Sequence, residues 1–117
     1  MVLVLVVDDE SDIRQAMAEI LSSEGFEVVS ACDGAEALDK ARRYHPELVL
    51  LDLMMPRMDG WEFRRAQKRD PEVSKIPVVV LSALGPDAMD ADGYVGKPFD
   101  VDELVTAVRR YATPLGA

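Results

Sequence analysis

Positive charge, cysteine and histidine are all scarce in this chain, and each shortage closes off a class of function. Thirteen lysines and arginines face 22 aspartates and glutamates, a formal net charge of −9. That balance lacks the electrostatic footprint of a nucleic-acid-binding domain and is repelled by an anionic membrane surface. The one cysteine, Cys32, allows no internal disulfide and suits a reducing, cytoplasmic setting. A lone cysteine is expected to be a small buried apolar residue. The one histidine, His45, sits beside Pro46 and reads as an exposed loop residue rather than a ligand or phosphodonor. Val2 to Val7, the longest apolar run near the N-terminus, is too short to span a bilayer. No basic segment with a long apolar core precedes it, so no signal peptide is expected.

What is present is the material of an ordinary folded domain. A chain of 117 residues with 49% hydrophobic content reads as one domain, 1–117, able to bury a core without disulfides or structural metal. Val2 to Val7 does not alternate and predicts a strand buried on both faces, running into Asp8-Asp9-Glu10. Ser11 is the expected cap of a helix whose apolar face is Ile13, Ala16, Met17, Ile20 and Leu21, with Gly25 as its stop. Phe26 to Ala31 predicts a weaker strand at the sheet edge. Asp33-Gly34-Ala35-Glu36 resembles a capping box for a second helix with a small-residue face of Ala35, Leu38 and Ala41, ended by His45-Pro46.

The central stretch is Leu48 to Pro56, an apolar run of strand length with a single carboxylate, Asp52, near its end. A lone buried charge is costly, so Asp52 needs a partner or a cavity. Asp59-Gly60-Trp61-Glu62 starts a third helix that closes at Asp70-Pro71. Arg64 and Gln67 stand where apolar residues are expected, which predicts a narrow buried face and a loosened or exposed helix. Ile76 to Ser82 is the fourth strand and Gly93 to Lys97 a short fifth. Asp100-x-x-Glu103 caps a last helix with Val101, Leu104, Val105 and Val108 on its apolar face. Strands alternating with helices imply a parallel sheet covered on both sides. Only ten residues, Ala83 to Asp92, join the fourth strand to the fifth, fewer than a normal helical crossover. At most about one helical turn is expected there, near Asp87 to Ala91. Thr113-Pro114-Leu115-Gly116 reads either as a natural end or as a cut linker.

Ligands of parallel sheets gather at the carboxyl ends of the strands, where strand order reverses. Those ends carry Asp8 and Asp9, Asp52, Ser82 and Lys97. If the order is 2-1-3-4-5, three carboxylates share one pocket with a hydroxyl and an ammonium at its rim. Two like charges about 4 Å apart repel by about 4 kcal/mol at an effective dielectric near 20, so a carboxyl protonates or a cation enters. An all-oxygen pocket suits Mg²⁺, with Mn²⁺ as a substitute, and the absence of His and Cys from the cluster disfavours Zn²⁺. Such a cation opposite Lys97 suits phosphoryl transfer.

Val7-Asp8-Asp9-Glu10, Leu51 to Gly60, Leu81-Ser82-Ala83 and Gly93-Tyr94-x-x-Lys97-Pro98-Phe99 together resemble the motifs of the response-regulator receiver domain of two-component signalling. The resemblance covers essentially the whole chain. It implies a flavodoxin-like α/β three-layer sandwich with strand order 2-1-3-4-5, its helix between strands 4 and 5 here shortened or missing. It implies a signalling switch rather than a dedicated enzyme. Asp52 is the phosphoacceptor, and a sensor histidine kinase or histidine phosphotransfer protein is the donor. By the same resemblance Asp9 binds Mg²⁺ directly, Asp8 acts partly through water, and Asp52 and the Met54 carbonyl complete the set. Ser82, the Ala83 backbone and Lys97 contact the phosphoryl group, the Lys97-Pro98 bond is cis, and Ser82 with Tyr94 forms the switch pair. The output is a downstream effector protein or domain, or a phosphorylation-dependent dimer, with no direct nucleic-acid or membrane binding by this domain. Met54 and Leu84, two positions past Asp52 and Ser82, are apolar and predict slow autodephosphorylation.

Three rivals bear on the same residues. A haloacid-dehalogenase-like phosphatase needs a second Asp two residues after the nucleophile, where this chain has Met54. A flavodoxin-like flavin carrier needs a first loop that cradles phosphate, which Asp8-Asp9-Glu10 repels. A receiver-like interaction module that does not switch by phosphorylation fits the short 83–92 connection.

Overall fold

The computed structural model describes residues 2–112, so the Thr113-to-Gly116 segment lies outside the described residues. Its elements in chain order are β1 (Leu3–Val7), α1 (Ser11–Ser23), β2 (Glu27–Ala31), α2 (Gly34–Tyr44), β3 (Leu48–Asp52), α3 (Gly60–Arg69), β4 (Val78–Ser82), β5 (Gly93–Gly96) and α4 (Val101–Tyr111). The five strands are parallel in the order β2-β1-β3-β4-β5. Reversal of strand order therefore falls between β1 and β3, as expected.

Alternation along each strand splits the core into two apolar layers. Val4, Val6, Leu48, Leu50, Val79 and Leu81 point toward α1 and α4, where Met17, Leu21, Leu104 and Val108 meet them. Leu5, Val7, Val49, Leu51, Val78 and Val80 point toward α2 and α3, against Ala37, Leu38, Ala41 and Phe63. Full burial of each such Val or Leu contributes roughly 1.5–3 kcal/mol. Ala16, Ala35 and Val101, assigned to buried helix faces by periodicity, are instead exposed. They lie at the margins of their stripes, where the sheet no longer covers them.

Helix ends follow short-range rules with one exception. Asp33, Asp59 and Asp100 accept from the amides of Glu36, Glu62 and Glu103, and Asp59 with Glu62 forms a complete capping box. Ser11 is not a cap: α1 begins at Ser11 itself, with Glu10 before it and no side-chain cap bond. Gly25 follows the end of α1 at φ 93°, a left-handed conformation that glycine adopts without steric cost. Cys32 is half-buried rather than buried, because it lies at the end of edge strand β2 beside Glu36, Asp33 and Arg57. Hydrogen bonding with Glu36 and partial burial hold its thiol above the ordinary range, an inert setting.

The connection from β4 to β5 has no full helix, only a single 3₁₀ turn at Pro86–Ala88. Arg64 and Gln67 do not loosen α3, contrary to expectation; both are buried. Gly60, Phe63, Arg64 and Gln67 fall at helical spacing and form the inner stripe of α3. Gln67 Nε2 donates to the carbonyls of Val73 (3.1 Å) and Ile76 (2.8 Å), and its Oε1 accepts from Arg64 (2.9 Å). Arg64 Nε donates to Asp90 O at 3.2 Å, and Trp61 Nε1 to Ala88 O at 2.9 Å. Trp61 and Arg64 thus satisfy carbonyls of the connection that lacks a helix, while Gln67 serves the irregular loop between α3 and β4. At the start of α3, a Cβ on Gly60 would stand 2.7 Å from the Asp52 carbonyl oxygen and 2.8 Å from Leu53 Cα, so only glycine fits.

Candidate functional site

Three loops at the carboxyl end of the sheet bring the expected residues together. Asp52 is the last residue of β3 and 7% exposed; Asp8 directly follows β1 and is fully buried, while Asp9 is exposed. One carboxylate oxygen from each of the three lies within 4.8 Å of the others. Lys97, just past β5, places Nζ 3.3 Å from Asp52 Oδ1 and 3.4 Å from Asp8 Oδ2. The Lys97–Pro98 peptide is cis, as the resemblance implies. Asp8 is fixed in place: its Oδ1 accepts from the Glu10 amide at 2.9 Å, and its carbonyl accepts from Arg14 at 2.7 Å. Arg14 was not anticipated as a neighbour of the site; its signal is its place in the first turn of the helix that follows the acidic pair.

One ammonium cannot balance three carboxylates. Burial pushes the Asp52 carboxyl above its ordinary value; Lys97 opposes that rise and the Asp8 charge adds to it. Burial also pulls the Lys97 ammonium down, but Asp52 and Asp8 together overcome this and hold it above its ordinary value. The remaining negative charge, carried on oxygen donors with no nitrogen or sulfur among them, fits a hard divalent cation such as Mg²⁺. Asp8, Asp9 and Asp52 are the residues that could hold it, and the expected Met54 carbonyl belongs to the loop directly after Asp52. Met54 is 67% exposed and Leu84 60%.

Ser82 ends β4 and is buried, with its hydroxyl accepting from the Leu84 amide at 2.9 Å. Its carbonyl accepts from the Tyr94 hydroxyl (2.9 Å) and from the Lys97 amide (3.0 Å). Tyr94 is half-buried and packs against the α2–α3 side of the core. Ser82 and Tyr94 are thus joined through one carbonyl, and the same carbonyl ties them to the residue that bears the ammonium. Ala83 follows at the exposed start of the short connection. His45, exposed at the far end of α2 in a left-handed conformation, takes no part.

The comparisons with known proteins agree with this geometry. Residues 4–109 match the family described as the response regulator receiver domain. A probable transcriptional regulator, ycf27, of Porphyridium aerugineum is 41% identical over 114 residues, covering 91% of this chain and 46% of that protein. The DNA-binding dual master transcriptional regulator RpaA of a Synechocystis strain is 36% identical over 113 residues, with 91% and 47% covered. The chain therefore spans about half the length of such curated relatives. Among solved structures, the chemotaxis response regulator CheY4 of Vibrio cholerae superimposes with a TM-score of 0.87 at 34% identity, covering 95% of this chain and 98% of that one. Fold, strand-end carboxylates and a family match over nearly the whole length converge, and the chain belongs to the response regulator receiver domain family, a signalling rather than an enzymatic class.

Proposed function

We propose that residues 1–117 act as a single cytoplasmic receiver domain that takes a phosphoryl group onto Asp52. The donor is a phosphohistidine on a sensor histidine kinase or a histidine phosphotransfer protein, as in a phosphorelay. The observation that carries this reading is the cluster itself: three carboxylates converge on one point, and a single ammonium bridges two of them. An Asp52 carboxylate oxygen forms the new O–P bond as the N–P bond to the donor imidazole breaks, and the imidazole leaves and takes a proton. Mg²⁺, held by Asp8, Asp9, Asp52 and the Met54 carbonyl, supplies positive charge to the phosphoryl oxygens when bound. Lys97, the Ser82 hydroxyl and the Ala83 amide meet the same oxygens once Ser82 gives up its bond to the Leu84 amide. Tyr94 follows through the shared Ser82 carbonyl, so a new dianion reorders both members of the pair.

The effector is a downstream protein or domain, and the longer relatives named as transcriptional regulators suggest a DNA-binding domain elsewhere in the full protein. Nucleic-acid contact is not assigned to this acidic domain. A second reading, an interaction module that does not switch, draws on the single 3₁₀ turn where receivers carry a helix.

Incubation with Mg²⁺ and acetyl phosphate, or with beryllofluoride as the bound mimic, separates the two. A phosphoryl mass increment on the wild type and none on Asp52→Asn supports the switch; no increment on either supports the module. Met54 and Leu84, two positions past Asp52 and Ser82, are apolar and offer an attacking water no hydrogen bond, so the phosphorylated domain is expected to persist for minutes or longer. Loss of phosphate within seconds would overturn that part of the reading.

A further inference from the structure

A second feature lies along α3, lined by none of the residues of the carboxylate cluster, and has no part in the chemistry above. The helix carries Arg64, Arg65, Lys68 and Arg69 within ten residues, in a chain whose net charge is −9. Arg64 is buried and committed to Gln67 and the Asp90 carbonyl, but Arg65, Lys68 and Arg69 are exposed. Because the 83–92 connection is short, it does not cover this flank, and a groove of about 360 Å³ opens between it and α3. The half-buried Trp61 and Met89 supply apolar surface in the groove, the three exposed cations border it, and Asp90 stands on the other wall.

We propose that this groove docks an acidic protein segment with one apolar side chain, the apolar group resting on Trp61 and Met89 and its carboxylates facing Arg65, Lys68 and Arg69. Charge complementarity selects the occupant. The cations form one short ridge beside an apolar pocket of side-chain size, which fits a peptide with an anchor residue. A nucleic acid or an anionic bilayer presents a broad negative surface that the rest of this acidic domain repels. Trp61 is held by its bond to Ala88 O, so the pocket is preformed by the same contact that fastens the short connection. The proposal does not depend on phosphorylation of Asp52.

Trp61 is the only tryptophan, so its emission reports on the groove directly. The probe is a synthetic twelve-residue peptide of Asp and Glu around a central Leu, titrated into the wild-type chain at low salt. A saturable change in emission is expected. Binding should weaken at least about tenfold with the Asn/Gln version of the peptide and with the Arg65→Gln/Lys68→Gln/Arg69→Gln variant, since each contributes several exposed charge contacts. Lys68→Glu alone, a milder surface change, should weaken it in the same direction, and circular dichroism verifies that both variants stay folded. Absence of any emission change, or equal affinity in wild type and variants, overturns the proposal. So does a tighter response to a thymidine oligonucleotide or to phosphatidylserine vesicles than to the peptide.

Discussion

The two faces of the sheet are covered by different physics. On the α1–α4 face the contact is apolar throughout, two amphipathic helices closing on alternate strand residues. On the other face α2 and the first turns of α3 do the same, but beyond Phe63 the cover becomes polar. There Arg64, Gln67 and Trp61 reach backbone carbonyls of two irregular segments, the loop between α3 and β4 and the short 83–92 connection. A helix satisfies its own backbone; an irregular connection does not, so neighbouring side chains must do it. Where the chain has dispensed with one helix, directional bonds have replaced area.

Truncation on the smooth face is expected to cost most. Leu104→Ala should lower stability by about 4 kcal/mol through lost transfer energy and an unfilled cavity, read by urea denaturation. On the stapled face, Gln67→Leu keeps volume but strands the Ile76 carbonyl and takes one partner each from the Val73 carbonyl and the Arg64 guanidinium, for a loss of about 2 kcal/mol. If that variant is as stable as wild type, the polar staple contributes nothing and the contrast between the faces fails. Trp61→Phe removes one hydrogen bond and some packing, about 1.5 kcal/mol. Its sharper signature is local: amide exchange should speed up across 83–92 and stay unchanged in α1 and α4. Uniform acceleration would mean that the connection is not a separately fastened unit.

The smallest effect belongs to the helix caps, which both faces share. Asp33→Ala should cost about 1 kcal/mol by freeing the Glu36 amide. The Glu36 amide and then the Arg57 guanidinium hold the Asp33 carboxyl below its ordinary value. A depressed carboxyl stabilises the fold above its unfolded pKa and loses that contribution as pH falls through the folded one. The gap between wild type and Asp33→Ala should therefore close in acid; a gap that persists at low pH would assign the effect to something other than the carboxylate.

Most of the fold was legible because its signals are local. Unbroken apolar runs marked the buried strands, Asp-x-x-Glu marked three helix starts, and a count of ten residues after Ser82 showed that no full helix fits before Gly93. The convergence of Asp8, Asp9, Asp52 and Lys97 was legible because strand ends are where such residues gather. Arg64 and Gln67 were misjudged for the opposite reason: their partners are carbonyls brought near only by the finished fold. Their spacing with Gly60 and Phe63 was the available sign, since a residue on the inner stripe is buried whatever its polarity. Ser11 failed as a cap because the acidic loop before it already turns the chain, and Cys32 was misplaced because composition says nothing about distance from a sheet edge.

Gly60 gives the molecule a joint without a cushion. The start of α3 rests directly on the backbone of Asp52 and Leu53, with the Gly60 amide bonded to the Leu53 carbonyl at 3.0 Å. Elsewhere side chains stand between helix and sheet and can repack to absorb a shift of tenths of an ångström. At Gly60 no side chain intervenes, so a change in the path of the chain after Asp52 displaces the root of α3 itself. The basic ridge near the far end of that helix is then the tip of a ten-residue lever whose fulcrum lies against the carboxylate.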